Sequence, residues 1–134
     1  GNKDDKLTVK TEFNTRKRKI ETDVDRLGQV FLNLVTNASK YCDAKKPTLK
    51  IIIGFDKENF TVDFIDNGSG ISKPEQQHIF EKFSRLGGQK TGSAGLGLAI
   101  CREILKRLKG YIYYLPDKRG AAFRVVVPNR IYSE

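Results

Sequence analysis

Asp66-Asn67-Gly68-Ser69-Gly70-Ile71, answered further along by Gly92-Ser93-Ala94-Gly95-Leu96-Gly97-Leu98, is the stretch on which the reading of this chain turns. The hexapeptide closes a β-rich run, and the second segment opens an amphipathic one. Glycine lacks a Cβ, so it takes φ > 0 and lets backbone N–H groups approach a phosphate or a purine without a side chain between them. A lone Gly-x-Gly more often closes a turn than holds a ligand. Two such segments around one loop imply a nucleotide pocket once a third element joins them. That element is a helix carrying Gln29, Asn33 and Asn37 at i, i+4, i+8 spacing.

Working outward, 134 residues are expected to form a single domain, 1–134, long enough to bury a core. With 38% hydrophobic and 31% charged residues the composition is that of a soluble globular protein. No apolar run approaches a membrane span, and the polar N-terminus has no signal-peptide core, so no membrane contact is expected from this stretch. A piece of a membrane-anchored protein would read the same way. Cys42 and Cys101 lack CxxC or Cys/His spacing and read as two reduced thiols, which makes a cytoplasmic location the default. The net charge of +9 raises nucleic acid as a partner. Its basic residues are scattered, however, and read as solvated faces able to steer an anionic nucleotide or an acidic protein, so no nucleic-acid partner is expected.

Residues 1–5 are polar and expected to be disordered. Residues 7–11 and 19–22 have strand character, with Asn14-Thr15 between them. Asp23 is placed to cap a helix whose apolar stripe runs Val24, Leu27, Phe31, Leu34, Val35, Ala38. Residues 49–55 and 60–65 form a hairpin that delivers Asp66 at its end. Residues 74–83 read as a short helix with Ser72 as cap and Pro74 in the first turn. Residues 84–94, rich in Gly, Ser and Thr, read as a lid. Residues 96–108 make a second amphipathic helix stopped by Gly110, and 111–115 with 121–127 a last hairpin ended by Pro128. Strands joined by short turns pair antiparallel, so the reading is α/β: a two-layer α/β sandwich, a mixed sheet with its helices on one face.

Asn33 and Asn37 with Gln29 form a polar ridge, joined a turn later by Lys40 and Tyr41. Amide oxygens are hard ligands suited to Mg²⁺, whose remaining sites go to water and to a substrate's phosphates. Three spaced amides alone are also what a solvated helix face looks like. Their coincidence with two glycine segments is what points to chemistry.

In these motifs the chain resembles the catalytic ATP-binding domain of sensor histidine kinases, within the Bergerat-type ATPase/kinase superfamily. Asp25-Arg26-Leu27 through Asn33-Leu34-Val35-Thr36-Asn37-Ala38-Ser39-Lys40-Tyr41 matches the N box, and Asp66-Asn67-Gly68-Ser69-Gly70-Ile71 the first glycine box. Ile79-Phe80-Glu81-Lys82-Phe83 matches the F box, and residues 92–100 the second glycine box. The resemblance implies that ATP and Mg²⁺ bind here. Asp66 would accept from the adenine amino group, with Gly68, Gly70 and Ile71 around the purine. Asn37 would hold Mg²⁺ with Asn33 supporting the metal or the phosphates, and Lys40 and Tyr41 would meet the phosphates and ribose. Gly95, Leu96 and Gly97 would line the phosphates from the lid, and Arg85 would meet the γ-phosphate.

Hydrolysing relatives carry a glutamate where this chain has Asn33, and an amide takes no proton at neutral pH. The resemblance therefore implies a phosphoryl donor: a kinase that passes the γ-phosphate to a histidine on a separate dimerisation domain, and from there to a response regulator. Phe80 and Phe83 are read as packing residues, and His78 as a surface residue without a phosphoacceptor motif. Departures from the pattern are Ser69 between the glycines, a short lid, and Ala121-Ala122 where Gly-Thr is common. Two other readings stay open: an anti-sigma-factor-type serine kinase or binding module, and a degenerate nucleotide-binding domain without phosphotransfer.

Overall fold

A computed structural model describes residues 6–14, 19–56, 58–81 and 97–130. The elements are β1 (Thr8–Phe13), α1 (Val24–Tyr41), β2 (Thr48–Asp56), β3 (Asn59–Asp66), α2 (Lys73–Gln76), α3 (Leu98–Arg107), β4 (Tyr111–Tyr114) and β5 (Ala122–Pro128). They build one five-stranded sheet in the order β1-β2-β3-β5-β4. β1 runs parallel to β2 and every other neighbour is antiparallel, so the sheet is mixed, with the helices on one face, as the turn spacing predicts.

Asp23 caps α1, its Oδ1 accepting from Arg26 N at 3.1 Å, a bond of a kind that contributes about 1 kcal/mol to a helix. The buried face of α1 is Leu27, Val30, Leu34 and Ala38. Val24, assigned to that stripe from its spacing, is 73% exposed, and Val30 takes its place in the core at 0%. The buried stripe therefore begins at Leu27, one turn into α1.

Alternation in the sheet places the site. Phe60, Val62 and Phe64 of β3 are buried in the core beneath the helices. With a period of two residues, Asp66 lies on their face at the strand's last position. The apolar row thus ends in a carboxylate. On the opposite face Asp63 is directly across from Arg124 of β5 and accepts from its Nε and Nη2, both at 2.7 Å. That pairing, together with a bond to Tyr113, holds the guanidinium pKa above its ordinary value.

Two sequence expectations are corrected. Residues 19–22 are not a strand, because their backbone is paired by the Asn129 side chain and the Arg130 N–H instead of a neighbouring strand. Glu21 N donates to Asn129 Oδ1 at 2.8 Å, Asn129 Nδ2 donates to Lys19 O at 2.9 Å, and Arg130 N donates to Glu21 O at 2.9 Å. The helix read at 74–83 stops at Gln76, although Ser72 does cap it through Glu75 N. Beyond it, His78 N donates to Glu75 O and Glu81 N to His78 O, three residues back. This tighter winding brings Ile79 into the core at 1% exposure and sets Phe80 edge-on to Phe123. Phe83 and the lid at 84–94 lie outside the described residues.

Candidate functional site

One cleft, partly open to solvent, lies where the row of β3 ends. Leu34, Asn37, Ala38, Tyr41 and Cys42 of α1 and its end line one side. Phe64, Asp66, Gly68, Ser69, Gly70 and Ile71 line the other, with Leu49, Ala121 and Phe123 as its floor. The residues predicted from the first glycine segment therefore meet two of those predicted from the amide ridge.

Asp66 is 9% exposed. Both of its side-chain bonds end on one oxygen: Oδ1 accepts from Gly68 N at 2.8 Å and from Ala121 N at 3.1 Å. Among the described residues every fully buried side-chain oxygen or nitrogen has a partner. Oδ2 bonds none of the described residues, so it is the acceptor left to the cleft. Burial raises the Asp66 pKa above its ordinary value; the two backbone bonds work against this and the Asp43 charge adds to it.

Close approach explains the glycines. Gly70 has φ +87°, a conformation L side chains rarely adopt. A Cβ on Gly68 would sit 2.8 Å from Asp43 Oδ1, and one on Gly120 would sit 2.7 Å from Asp66 Oδ1 as well as striking the Asp66 carbonyl. Ile71 N donates to the Tyr114 hydroxyl at 3.2 Å. Burial raises the Tyr114 pKa, the Ile71 N–H lowers it, and the Asp66 charge raises it.

The other predicted residues divide. Asn33 does not line the cleft: it lies at the seam of α1 and α3, where Nδ2 is 3.5 Å from Gly97 O and 3.5 Å from Cys101 Sγ. Gly97 is the left-handed N-cap of α3 at φ 71°, with no side-chain cap. The first N–H groups of a helix have no intrahelical partner and carry the positive end of its dipole, which suits an anion. Lys40 is exposed, its Nζ 5.9 Å from the centre of the Tyr41 ring. His78 is exposed and bonded to Glu81 at 2.9 Å. Arg85, Gly95 and Leu96 lie outside the described residues.

No group of three or more His, Cys, Asp or Glu side chains able to hold a metal occurs among the described residues. Asn37 on the cleft wall fits Mg²⁺ only in the manner of a site completed by water and a nucleotide's phosphates. Sequence reasoning missed Asp43, Gly120 and Tyr114, which come from distant parts of the chain. Gly120 alone left a trace, as the glycine of a Lys-Arg-Gly turn. No described helix is long and apolar enough to cross a membrane.

Comparison with known proteins agrees with this geometry. The family described as "Histidine kinase-, DNA gyrase B-, and HSP90-like ATPase" matches residues 22–131. The sensor protein VanS of Enterococcus faecium is 37% identical over 112 residues, 81% of this chain and 29% of VanS. The chain thus spans less than a third of that relative. Among solved structures, the nucleotide-free catalytic domain of the histidine kinase ThkA superposes with a TM-score of 0.77 at 27% identity, covering 92% of this chain and 80% of that one. A structure of ThkA in complex with the response regulator TrrA superposes with a TM-score of 0.75 at 25% identity, covering 96% of this chain and 36% of that one.

Proposed function

The chain belongs to the histidine kinase-, DNA gyrase B- and HSP90-like ATPase family, and on that premise we propose that it is the ATP-binding catalytic domain, 1–134, of a sensor histidine kinase. The observation that carries the reading is Asp66, a carboxylate buried at the end of a core strand with Oδ1 held by two backbone N–H groups and Oδ2 left to the cleft. An outward acceptor in an apolar slot selects a base that offers an amino group. Adenine has one at that position and guanine has a carbonyl, so the slot is for ATP.

Gly70 leaves room for the purine, and Tyr41 and Asn37 lie along the path from base to phosphates. Phosphates lie toward the N-terminus of α3, where Gly97 sits against Asn33. Mg²⁺, when bound with ATP through Asn37, neutralises phosphate charge. Asn33 bonds the α3 terminus and offers no base to water, so hydrolysis is not the reaction this ridge supports. An acceptor histidine on a separate domain attacks the γ-phosphorus through a ring nitrogen as the bond to the β–γ bridging oxygen breaks and ADP leaves. Alignment and charge neutralisation are what such a transfer asks of the protein. The phosphoryl group then passes to a response regulator, a partner supported by the ThkA–TrrA complex.

The test is a pair of assays on the isolated domain. It is expected to bind ATP and release phosphate near the background rate, and to form an acid-labile phosphoprotein when a histidine-bearing helical hairpin from its own full-length protein is added. Robust phosphate release without an acceptor would move the protein to the ATPase branch.

A further inference from the structure

Asp43, just past the end of α1, grips Ser69 at the centre of the glycine turn with both carboxylate oxygens. Ser69 N donates to Oδ1 at 2.8 Å and Ser69 Oγ donates to Oδ2 at 2.7 Å. We propose that Asp43 is a positioning residue for nucleotide: a latch that fixes the glycine turn against the end of α1 and so holds Asp66 in its adenine-reading orientation. The proposal rests on the donor reading above for the identity of the ligand.

The linkage is short. Ser69 adjoins Gly68, whose N–H is one of the two bonds on Asp66 Oδ1. With Ser69 held, Gly68 N stays on Oδ1 and Oδ2 stays with the cleft. The absence of a Cβ at Gly68 is what lets the Asp43 carboxylate come this close. A second tie runs alongside: Cys42 Sγ donates to Asn67 Oδ1 at 3.3 Å, and Asn67 Nδ2 donates to Lys46 O at 3.0 Å. This second tie anchors the loop after α1, while the Asp43 grip sets the turn that touches the base. The Ser69 bonds lower the Asp43 pKa below its ordinary value, so the latch stays ionised and closed at neutral pH.

A latch at the base end acts on every adenine nucleotide alike. Asp43→Ala is expected to raise the Kd of ATP and of ADP by the same factor, about tenfold, the size of one charge-assisted hydrogen bond. Ser69→Ala keeps the backbone N–H bond and is expected to lose less. The double variant is expected to bind no worse than Asp43→Ala, because both changes break one unit. Amide exchange at Ser69 in the nucleotide-free domain is expected to accelerate in Asp43→Ala and in Asp43→Asn, the milder variant. Unchanged Kd values, a loss confined to ATP, or unchanged Ser69 exchange would each overturn the latch. If the unmodified domain binds no adenine nucleotide the donor reading fails, and Ser69 exchange still decides the latch.

Discussion

Replacing Asp66 with Asn is expected to separate binding from folding. An asparagine carbonyl can accept both backbone bonds now made to Oδ1, at 2.8 Å and 3.1 Å. What disappears is the charge and the second oxygen; the incoming NH₂ donates where the adenine amine also donates. A hydrogen bond to a charged group contributes about 1.5–3 kcal/mol, so the ATP Kd is expected to rise by about ten- to a hundredfold. Stability responds in the other direction. Burial is the first cause of the raised Asp66 pKa, ahead of the opposing backbone bonds and the Asp43 charge. For an acid, a folded-state pKa above the unfolded one means that the fold favours the protonated form. The ionised carboxylate therefore costs stability at neutral pH, and the cost is relieved as pH falls through the folded value. Asn removes that cost. Calorimetric titration with ATP and thermal melting are the two readouts: affinity collapses while the melting temperature holds or rises. A fall in melting temperature that accounts for the lost affinity would refute the reasoning and make Asp66 a strut for the turn. Equal affinity of the unmodified domain for ATP and GTP would refute the base-reading role directly.

ATP binding is expected to weaken on acidification as Asp66 protonates at its raised pKa, with Asp43 and Tyr114 the other titratable groups coupled to it. In Asp43→Asn one of the charges opposing ionisation is gone, so the acidic limb of a binding-against-pH titration is expected at lower pH. Gly120→Ala places a Cβ against the Asp66 backbone and carboxylate, and overpacking of this kind costs about 1–3 kcal/mol; denaturant unfolding measures that loss, and an unchanged midpoint would contradict the close approach. Asn37→Ala is expected to remove the Mg²⁺-dependent part of ATP binding with the circular dichroism spectrum intact, read by titrating ATP with and without Mg²⁺.

Elements with local signals were legible in the sequence. Asp23 and Ser72 announce helix starts because a cap satisfies backbone groups within three residues of itself. The hairpin that presents Asp66 was legible from alternation and from the turn at 56–59. Local signals failed at residues 19–22, whose partner is Asn129, and at 77–81, where the pull of Ile79 into the core outweighs helix propensity. The site divides in the same way. Asp66, Asn37 and Tyr41 sit in patterned motifs and share one cleft. Asp43 and Gly120 act through contacts to residues 69 and 66, a separation that periodicity cannot register. Asn33 was legible as part of the ridge, whereas its bonds to Gly97 and Cys101 depend on how α3 docks.

The buried amide of Asn129 has a consequence for kinetics. Its side-chain bonds to Glu21 and Lys19 span 108 and 110 residues of chain, and its own N–H bonds the turn at Glu58. Bonds that close so long a loop reward the chain only after the sheet has assembled, since closure entropy comes first. Asn129 is therefore expected to contribute late, on the native side of the folding barrier, so that Asn129→Ala speeds unfolding more than it slows folding in stopped-flow kinetics. On that expectation it is a clasp fastened last, setting how long the assembled domain persists before it opens.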